Sequence, residues 1–224
     1  MLFRSQIWLS DITYIHTVKN GWTYLASVLD VCTRKIVGYS YGRKMDRSLV
    51  ISALTNSWQN QNYPNNVILH SDRGSQYISS EYIAAAERMG FRLSYSKKGC
   101  PFDNAPMESF HSVLKKEEVY LKHYSSFHEA NIRLFDYING FYNRNRIHSA
   151  INFLSPIQFE NSLFYSFFFS PFCVQIIDYG PISTLVFSLD TWSCELYSYS
   201  TLFTTVFPSL IVLDFGSPLP LPDL

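Results

Sequence analysis

Residues 7–41 have the pattern of three β-strands joined by short turns. Three segments, 7–16, 24–30 and 35–41, are rich in β-branched and aromatic side chains. Asn20-Gly21 and Cys32-Thr33-Arg34 separate them as turn signals. Connections this short favour antiparallel neighbours, because parallel strands need a long crossover. The sequence therefore predicts three antiparallel strands at the start of the fold.

After residue 41 the sequence alternates between helix and strand patterns. Polar capping residues precede apolar residues at helical spacing, and the helices are predicted to begin at Asp46, at Ser79 or Ser80, at about Ala105 and at Ser126. Short strands are predicted at residues 67–69 and 91–95, with a mobile loop at 97–104. The last helix is expected to bury a stripe made by Phe127, Ala130, Leu134, Phe135, Ile138 and Phe141. This order predicts an α/β fold.

Three acidic residues fall where these elements can bring them together. Asp11 lies within the first strand, Asp72 follows the buried strand and Glu108 lies in the first turn of a helix. Open α/β sheets place their sites at strand ends and helix starts. Several carboxylates that converge are usually compensated by a hard divalent cation such as Mg²⁺. The three acids therefore predict a metal-dependent site for phosphate chemistry.

The segments around these acids are long enough to compare with known families. They are WLSDITY at residues 8–14, HSDRGSQY at 70–77 and DNAPMESF at 103–110. LKKE, YNRNRIHSA, Ser-Pro and Phe-Glu follow in order between residues 114 and 160. Residues 6–160 thereby resemble the catalytic core of bacterial insertion-sequence transposases of the DDE type. The nearest group makes its transposase by fusing two reading frames and resembles retroviral integrases.

The resemblance implies a ribonuclease-H-like catalytic core, a mixed sheet flanked by helices, in residues 1–160. It implies that Asp11, Asp72 and Glu108 are catalytic and hold two Mg²⁺ or Mn²⁺ ions for DNA cleavage and strand transfer. The implied partners are DNA, as transposon ends and target, and a second copy of the chain or an intact transposase. The implied location is the bacterial cytoplasm, at the nucleoid, and no membrane partner is expected.

Six further residues are candidates for DNA contact. Lys115 lies seven residues after Glu108, two helical turns along the same face, where its ammonium would meet a phosphate or remain simply exposed. Asn104 shapes the loop or caps the helix that carries Glu108, and capping is preferred. DNA contact and local structure remain alternatives for Arg73, Gln76, Arg144 and Arg146.

Charge divides the chain at about residue 160. Residues 1–160 hold all 18 Lys and Arg but 13 of the 18 acids, a surplus of five positive charges that suits a polyanion without proving that one binds. Residues 161–224 hold five acids, no base, 14 aromatics and six of the ten prolines. We expect this irregular tail to arise from a frameshift or adjacent DNA, and to promote aggregation. A membrane anchor at 196–213 is the alternative, weakened by Pro208 and by the absence of flanking Lys or Arg.

Several broader expectations follow. The four cysteines form no C-x-x-C pair, which argues against a zinc ribbon and favours a reduced compartment. Transposases of this group carry a helix-turn-helix upstream of the core, so we expect an N-terminally truncated copy. Two other functions stay open: a catalytically idle DNA-binding remnant, and a nuclease that acts on RNA–DNA hybrids.

Overall fold

The computed structural model describes residues 6–97, 104–169, 175–178 and 183–186. The chain divides into two units, residues 1–162 and 163–224. The first unit contains a five-stranded sheet in the order β3-β2-β1-β4-β5. Its strands are β1 Ile7–Thr17, β2 Gly21–Asp30, β3 Ile36–Gly42, β4 Ile68–Ser71 and β5 Arg92–Tyr95. The first three strands pair antiparallel, whereas β4 runs parallel to β1 and β5 parallel to β4. The predicted mixed α/β sheet is confirmed.

Five α-helices accompany the strands in the described part of the chain. They are α1 Arg47–Asn60, α2 Ser80–Arg88, α3 Ala105–Leu114, α4 Phe127–Phe135 and α5 Pro156–Phe169. Lys115–Val119 and Asp136–Tyr142 continue α3 and α4 as π-helical segments, and Ser149–Ile151 is a 3-10 turn. The side chains of Asp46, Ser79 and Ser126 each accept a hydrogen bond from the first turn of their helix, as predicted.

Two hydrophobic cores lie on opposite faces of the sheet. Successive residues of β1 alternate between them, so that Trp8 belongs to the core under α1 and α2 while Leu9 belongs to the core under α3 and α4. Gly38 lets α1 lie directly on β3, because a Cβ there would stand 2.4 Å from the backbone nitrogen of Ser57. The sheet is therefore covered on both faces and positions α3 against β1.

The predicted apolar stripe of the last helix is wrong at Phe135 and Phe141, whereas Ile138 is buried as predicted. Phe135 and Phe141 are 58% and 44% exposed, whereas Tyr137 and Tyr142 are buried in their place. For Phe141 the cause is the π-helical segment Asp136–Tyr142, in which the backbone N–H of Asn143 donates to the carbonyl of Ile138 five residues earlier. The wider turn changes the phase of the helix and rotates different side chains towards the core.

The second unit is described only in part. Helix α5 continues through residue 160, where the sequence predicts a boundary, and β6 Gln175–Asp178 pairs antiparallel with β7 Ser183–Val186. The uncharged run at 196–213 and most of the predicted loop, residues 98–103, lie outside the described residues. Within the described residues, no helix has the length and apolar character needed to cross a membrane.

Candidate active site

The strand register brings two of the predicted carboxylates together. Ser10 of β1 pairs with Ser71, the last residue of the parallel strand β4. Asp11 follows Ser10 within β1 and Asp72 follows Ser71 directly after β4, so the two lie side by side where β4 ends and β1 continues. Glu108 lies in the first turn of α3, which packs on β1 through Met107 and Phe110. The three acids therefore lie near the carboxyl end of β4, close enough for Asp72 and Glu108 to raise the pKa of Asp11.

Asp11 has an unusual electrostatic environment. The pKa of Asp11 is raised to about 6, chiefly by burial and also by the negative charges of Asp72 and Glu108, while the backbone N–H of Ile12 and the ammonium of Lys115 act in the opposite direction. Its side chain is 24% exposed. An ionised carboxylate here therefore lacks full compensation, which is the condition that a bound cation relieves.

Asn104 contacts Asp11 instead of capping its helix. Its Nδ2 donates a hydrogen bond to Oδ2 of Asp11 at 3.3 Å, and its side chain makes no cap hydrogen bond although it occupies the N-cap position of α3. The capping prediction is therefore wrong. The backbone of Asn104, at φ −116° and ψ 13°, is not in the extended conformation that the three capping residues adopt, and its side chain is engaged by Asp11.

His111 is a site residue that the sequence reasoning missed. It is buried, and its Nδ1 lies 3.6 Å from Oδ2 of Asp11. Burial lowers the pKa of His111 to about 3, with the charge of Lys115 contributing, so the ring is neutral at pH 7 and the contact is not an ion pair. The available signal was its spacing of three residues from Glu108, which places both on the same helical face.

The site retains unused polar atoms beside Asp11. Within the described residues, Oδ1 of Asn104 and Nε2 of His111 are buried without a hydrogen-bond partner. Buried polar atoms without partners are unusual and often mark a functional site. α3 and the residue before it thus contribute two buried side chains, His111 and Asn104, that contact the first carboxylate.

The predicted DNA contacts have different surroundings. Arg73 and Arg144 are exposed, and half-buried Lys115 is near enough to lower the pKa of Asp11. Gln76 is tied to the loop before α1, because its Nε2 donates to the carbonyl of Met45 at 3.2 Å. Of these four residues, Lys115 acts on Asp11 and Arg73 follows Asp72 directly, whereas Gln76 is engaged elsewhere.

Arg146 belongs to a structural network. Its Nε donates to both carboxylate oxygens of Glu117 at 3.0 Å, and its Nη2 lies 2.9 Å from Oε1. The hydroxyl of Tyr137 donates to the same carboxylate at 2.7 Å. The network joins the π-helical segment after α3 to the one after α4. For Arg146 the structure supports local packing, because a phosphate contact would require this bidentate pair to open.

The three carboxylates lie near one another but do not form a complete metal site. Among the described residues, no three Asp, Glu, His or Cys side chains stand close enough to hold an ion as they are placed. Asp72 and Glu108 are exposed, and Oδ1 of Asp72 accepts the N–H of Gly74 at 2.9 Å. The donor set nevertheless fits Mg²⁺ or Mn²⁺, since it consists of carboxylate oxygens whose charges raise the pKa of Asp11.

Known protein families match most of the first unit. Two profiles of the integrase core domain match residues 4–101 and 108–164. A transposase for insertion sequence element IS904 of Lactococcus lactis is 41% identical over 156 residues, which cover 70% of this chain and 61% of that protein. The InsF transposase for insertion sequence IS3A of Escherichia coli is 43% identical over 157 residues, covering 70% and 54%. The chain thus spans just over half the length of these relatives.

Solved structures share the fold. The HTLV-2 integrase catalytic core domain in complex with magnesium superposes with a TM-score of 0.53 at 15% identity, covering 70% of this chain and 97% of that one. The catalytic core domain of BIV integrase gives a TM-score of 0.52 at 17% identity, covering 73% and 99%. The sheet and its flanking helices therefore have the ribonuclease-H-like fold of these catalytic cores.

Proposed function

Because the chain belongs to the integrase-core family of insertion-sequence transposases, we propose that it catalyses metal-dependent DNA cleavage and strand transfer. The observation that supports this most is the parallel register of β1 and β4. It sets Asp11 beside Asp72 at the edge where α3 brings Glu108. Three acids from three separate elements would otherwise repel one another without benefit to the fold.

We infer that Asp11, Asp72 and Glu108 would hold two Mg²⁺ or Mn²⁺ ions. Such ions activate the attacking oxygen, from water or a DNA 3′-hydroxyl, and stabilise the leaving oxygen. The protein's own task is to keep three carboxylates ionised and aimed at one place. Lys115, beside Asp11, is suited to bind a phosphate of the DNA, and exposed Arg73 and Arg144 provide further phosphate contacts.

Asn104 and His111 act as positioning residues in this proposal. Asn104 holds Oδ2 of Asp11 by a hydrogen bond, and the neutral ring of His111 packs against the same oxygen. The N–H of Ile12 holds Oδ1 at 2.8 Å. The carboxylate is thus fixed in rotation before any ligand arrives, and a fixed ligand avoids the entropic cost of ordering it during catalysis.

The expected partners are DNA, as element ends and target, and a further transposase chain. HTLV-2 integrase cores have been described in a trimeric form, and an integrase of simian T-cell lymphotropic virus in an intasome. We propose that this chain likewise works as an oligomer, either with its own copies or with a longer transposase. The bacterial cytoplasm, at the nucleoid, is the corresponding location.

A second candidate function is a DNA-binding remnant without catalysis. The observation that favours it is the absence of a ready metal-ligand set among the described residues, with Asp72 and Glu108 both exposed. The surplus of positive charge in residues 1–160 would still bind DNA. This function predicts salt-sensitive DNA binding that is unchanged in Asp72→Asn.

The experiment that separates the two uses the full chain, Mn²⁺, a supercoiled plasmid and a labelled duplex with a free 3′-hydroxyl. Asp72→Asn should reduce plasmid nicking and joining by more than about 100-fold, because losing a metal ligand removes several kcal/mol of transition-state stabilisation. Asp136→Asn is the matched control, since Asp136 is an exposed acid on another helix. Equal activity of wild type and Asp72→Asn would refute the catalytic proposal.

A further inference from the structure

Four aromatic rings form a surface that the proposed chemistry does not use. Tyr14 and His16 of β1 lie opposite Tyr24 and Trp22 of β2. Tyr14 is 46% exposed and Trp22 60%, and His16 is also exposed. We call these four residues the aromatic ladder. Large exposed aromatic surfaces usually mark a binding site.

The ladder lies just beyond the helix that covers this face of the sheet. Tyr24 pairs with Gly42 of β3, and Leu49 in the first turn of α1 packs over Gly42. α1 therefore begins above Gly42 and runs back along the sheet. Tyr24 packs against the core beneath α1, whereas the other three rings extend past the helix towards the β1–β2 turn.

The rings leave faces open for a planar partner. Tyr14 meets Tyr24 at 5.4 Å between ring centroids, His16 meets Trp22 at 5.2 Å, and Tyr14 meets Trp22 at 6.5 Å. All three contacts are edge-to-face, so no ring is sandwiched in a parallel stack by another member of the ladder. The mutual contacts and the strand pairing hold the rings in place, which keeps the entropic cost of binding low.

The charge around the ladder favours an anionic partner. No Asp or Glu occurs between residues 12 and 29, and Lys19 lies at the turn. Lys44, just after β3, is also exposed. Asp46 is occupied as the cap of α1, where it accepts hydrogen bonds from Ser48 and from the N–H of Leu49. Surfaces that stack nucleic-acid bases typically combine aromatic rings with nearby lysines, with no carboxylate among them.

The ladder is also close to the candidate active site along one strand. Tyr14 comes three residues after Asp11, about 10 Å at the rise of an extended strand, and points to the opposite face of the sheet. A DNA strand advances about 3.4 Å per stacked nucleotide. The offset along β1 thus corresponds to about three stacked nucleotides. Because β1 has no strand partner on the β4 side beyond Ser10 in the described residues, a DNA strand can pass around that side from the face of Asp11 to the face of the ladder.

From this placement we propose that the aromatic ladder binds unpaired DNA bases by stacking, beside the carboxylate site. The proposal rests on the proposed function, because a DNA substrate at Asp11 is what brings bases to this strand. Stacking needs bases released from the duplex, such as those of a frayed or single-stranded end. The ladder thereby holds the strand next to the reacting phosphate without reading its sequence.

The test measures binding of a fluorescein-labelled twelve-nucleotide oligothymidine to the full chain by fluorescence anisotropy, in EDTA so that no cleavage occurs. A stacked base contributes about 1–3 kcal/mol, so Trp22→Leu should weaken binding about 5- to 140-fold. Tyr63→Leu is the matched control, because Tyr63 is 61% exposed and also meets a tryptophan edge-to-face. Affinity for a blunt duplex should change less than twofold in both variants.

Unchanged affinity of Trp22→Leu for the single strand would overturn the proposal. So would sedimentation showing that wild type self-associates without DNA and Trp22→Leu does not, since the ladder would then be a protein interface. Tyr14→Leu provides a second variant if Trp22→Leu fails to unfold cooperatively. Because the assay contains no metal, its outcome is independent of Asp72→Asn, which tests the chemistry alone.

Discussion

Replacing Asp11 with asparagine should stabilise the metal-free protein. Burial and the charges of Asp72 and Glu108 raise the pKa of Asp11 from 3.8 to about 6. The ionised carboxylate is thus less favourable in the folded state than in the unfolded chain. Asparagine has nearly the same shape and carries no charge, so the variant avoids this destabilisation at neutral pH.

The pH dependence has a definite sign. Below pH 3.8 Asp11 is protonated in both the folded and the unfolded state, and its contribution to the stability of the folded state is fully present. As pH rises from 3.8 through about 6, the unfolded chain releases its proton first, and the stability contributed by the protonated carboxyl is progressively lost. Asp11→Asn does not titrate, so the electrostatic part of its advantage over wild type should be complete above pH 7 and about half as large at pH 5.

The magnitude follows from the contacts of the side chain. A rise in pKa from 3.8 to about 6 corresponds to about 3 kcal/mol. Asp11 accepts hydrogen bonds from Ile12 and Asn104 on different oxygens, and asparagine keeps one acceptor only, which costs about 1 kcal/mol. The net gain is about 2 kcal/mol, or about 4 to 8 °C in the melting temperature of a chain of this size.

Thermal unfolding in EDTA at pH 8 and pH 5 measures this directly, with Asp136→Asn as the exposed control. Adding Mg²⁺ should raise the melting temperature of wild type and leave Asp11→Asn nearly unchanged, because a bound ion stabilises only the state that binds it. A variant that melts at or below the wild-type temperature at pH 8 would refute the electrostatic reasoning. A gap that does not narrow at pH 5 would refute it as well.

Three further predictions concern positions with clear structural surroundings. Asn104→Ala removes the hydrogen bond to Asp11 and should weaken Mn²⁺ binding, measured by calorimetry, about 10-fold. The melting temperature in EDTA should fall by no more than a few degrees. Unchanged Mn²⁺ affinity would contradict the positioning role of Asn104. Arg146→Ala should lower the free energy of unfolding in urea by about 1 to 2 kcal/mol, because a bidentate ion pair with Glu117 is lost. Replacing the exposed Arg144 with alanine should change the free energy of unfolding by no more than about 0.5 kcal/mol. Equal effects of the two variants would contradict the structural role of Arg146. Gly38→Ala should lower the free energy of unfolding by about 1 to 3 kcal/mol in the same assay, because the added Cβ would meet α1. Gly140 has open space around it, so Gly140→Ala should raise the free energy of unfolding by about 0.5 kcal/mol. A neutral Gly38→Ala would contradict the close packing of α1 on β3.

Local patterns were sufficient to predict most of the fold. The strand alternation and the turn signals located β1 to β3, and the caps Asp46 and Ser79 located the starts of α1 and α2. Asp72 was expected at a strand end, and the register of β4 places it there. These features depend on neighbouring residues, which a sequence displays directly.

Features that depend on distant residues were not predicted. The π-helical segment that buries Tyr142 instead of Phe141 follows from packing that no helical period displays. The pair of Glu117 with Arg146 joins residues on different helices, so Arg146 had the same appearance as a free surface arginine. The same reason explains Asn104, whose partner in the fold lies on β1.

The most direct measurement is anomalous diffraction from crystals of the full chain soaked in Mn²⁺. The proposed function predicts peaks within about 2.5 Å of oxygens from Asp11, Asp72 and Glu108, with the latter two side chains turned inwards. It also predicts that these peaks disappear in Asp72→Asn. Peaks that avoid all three carboxylates, in a protein that still joins DNA with Mn²⁺, would contradict the assignment of the active site.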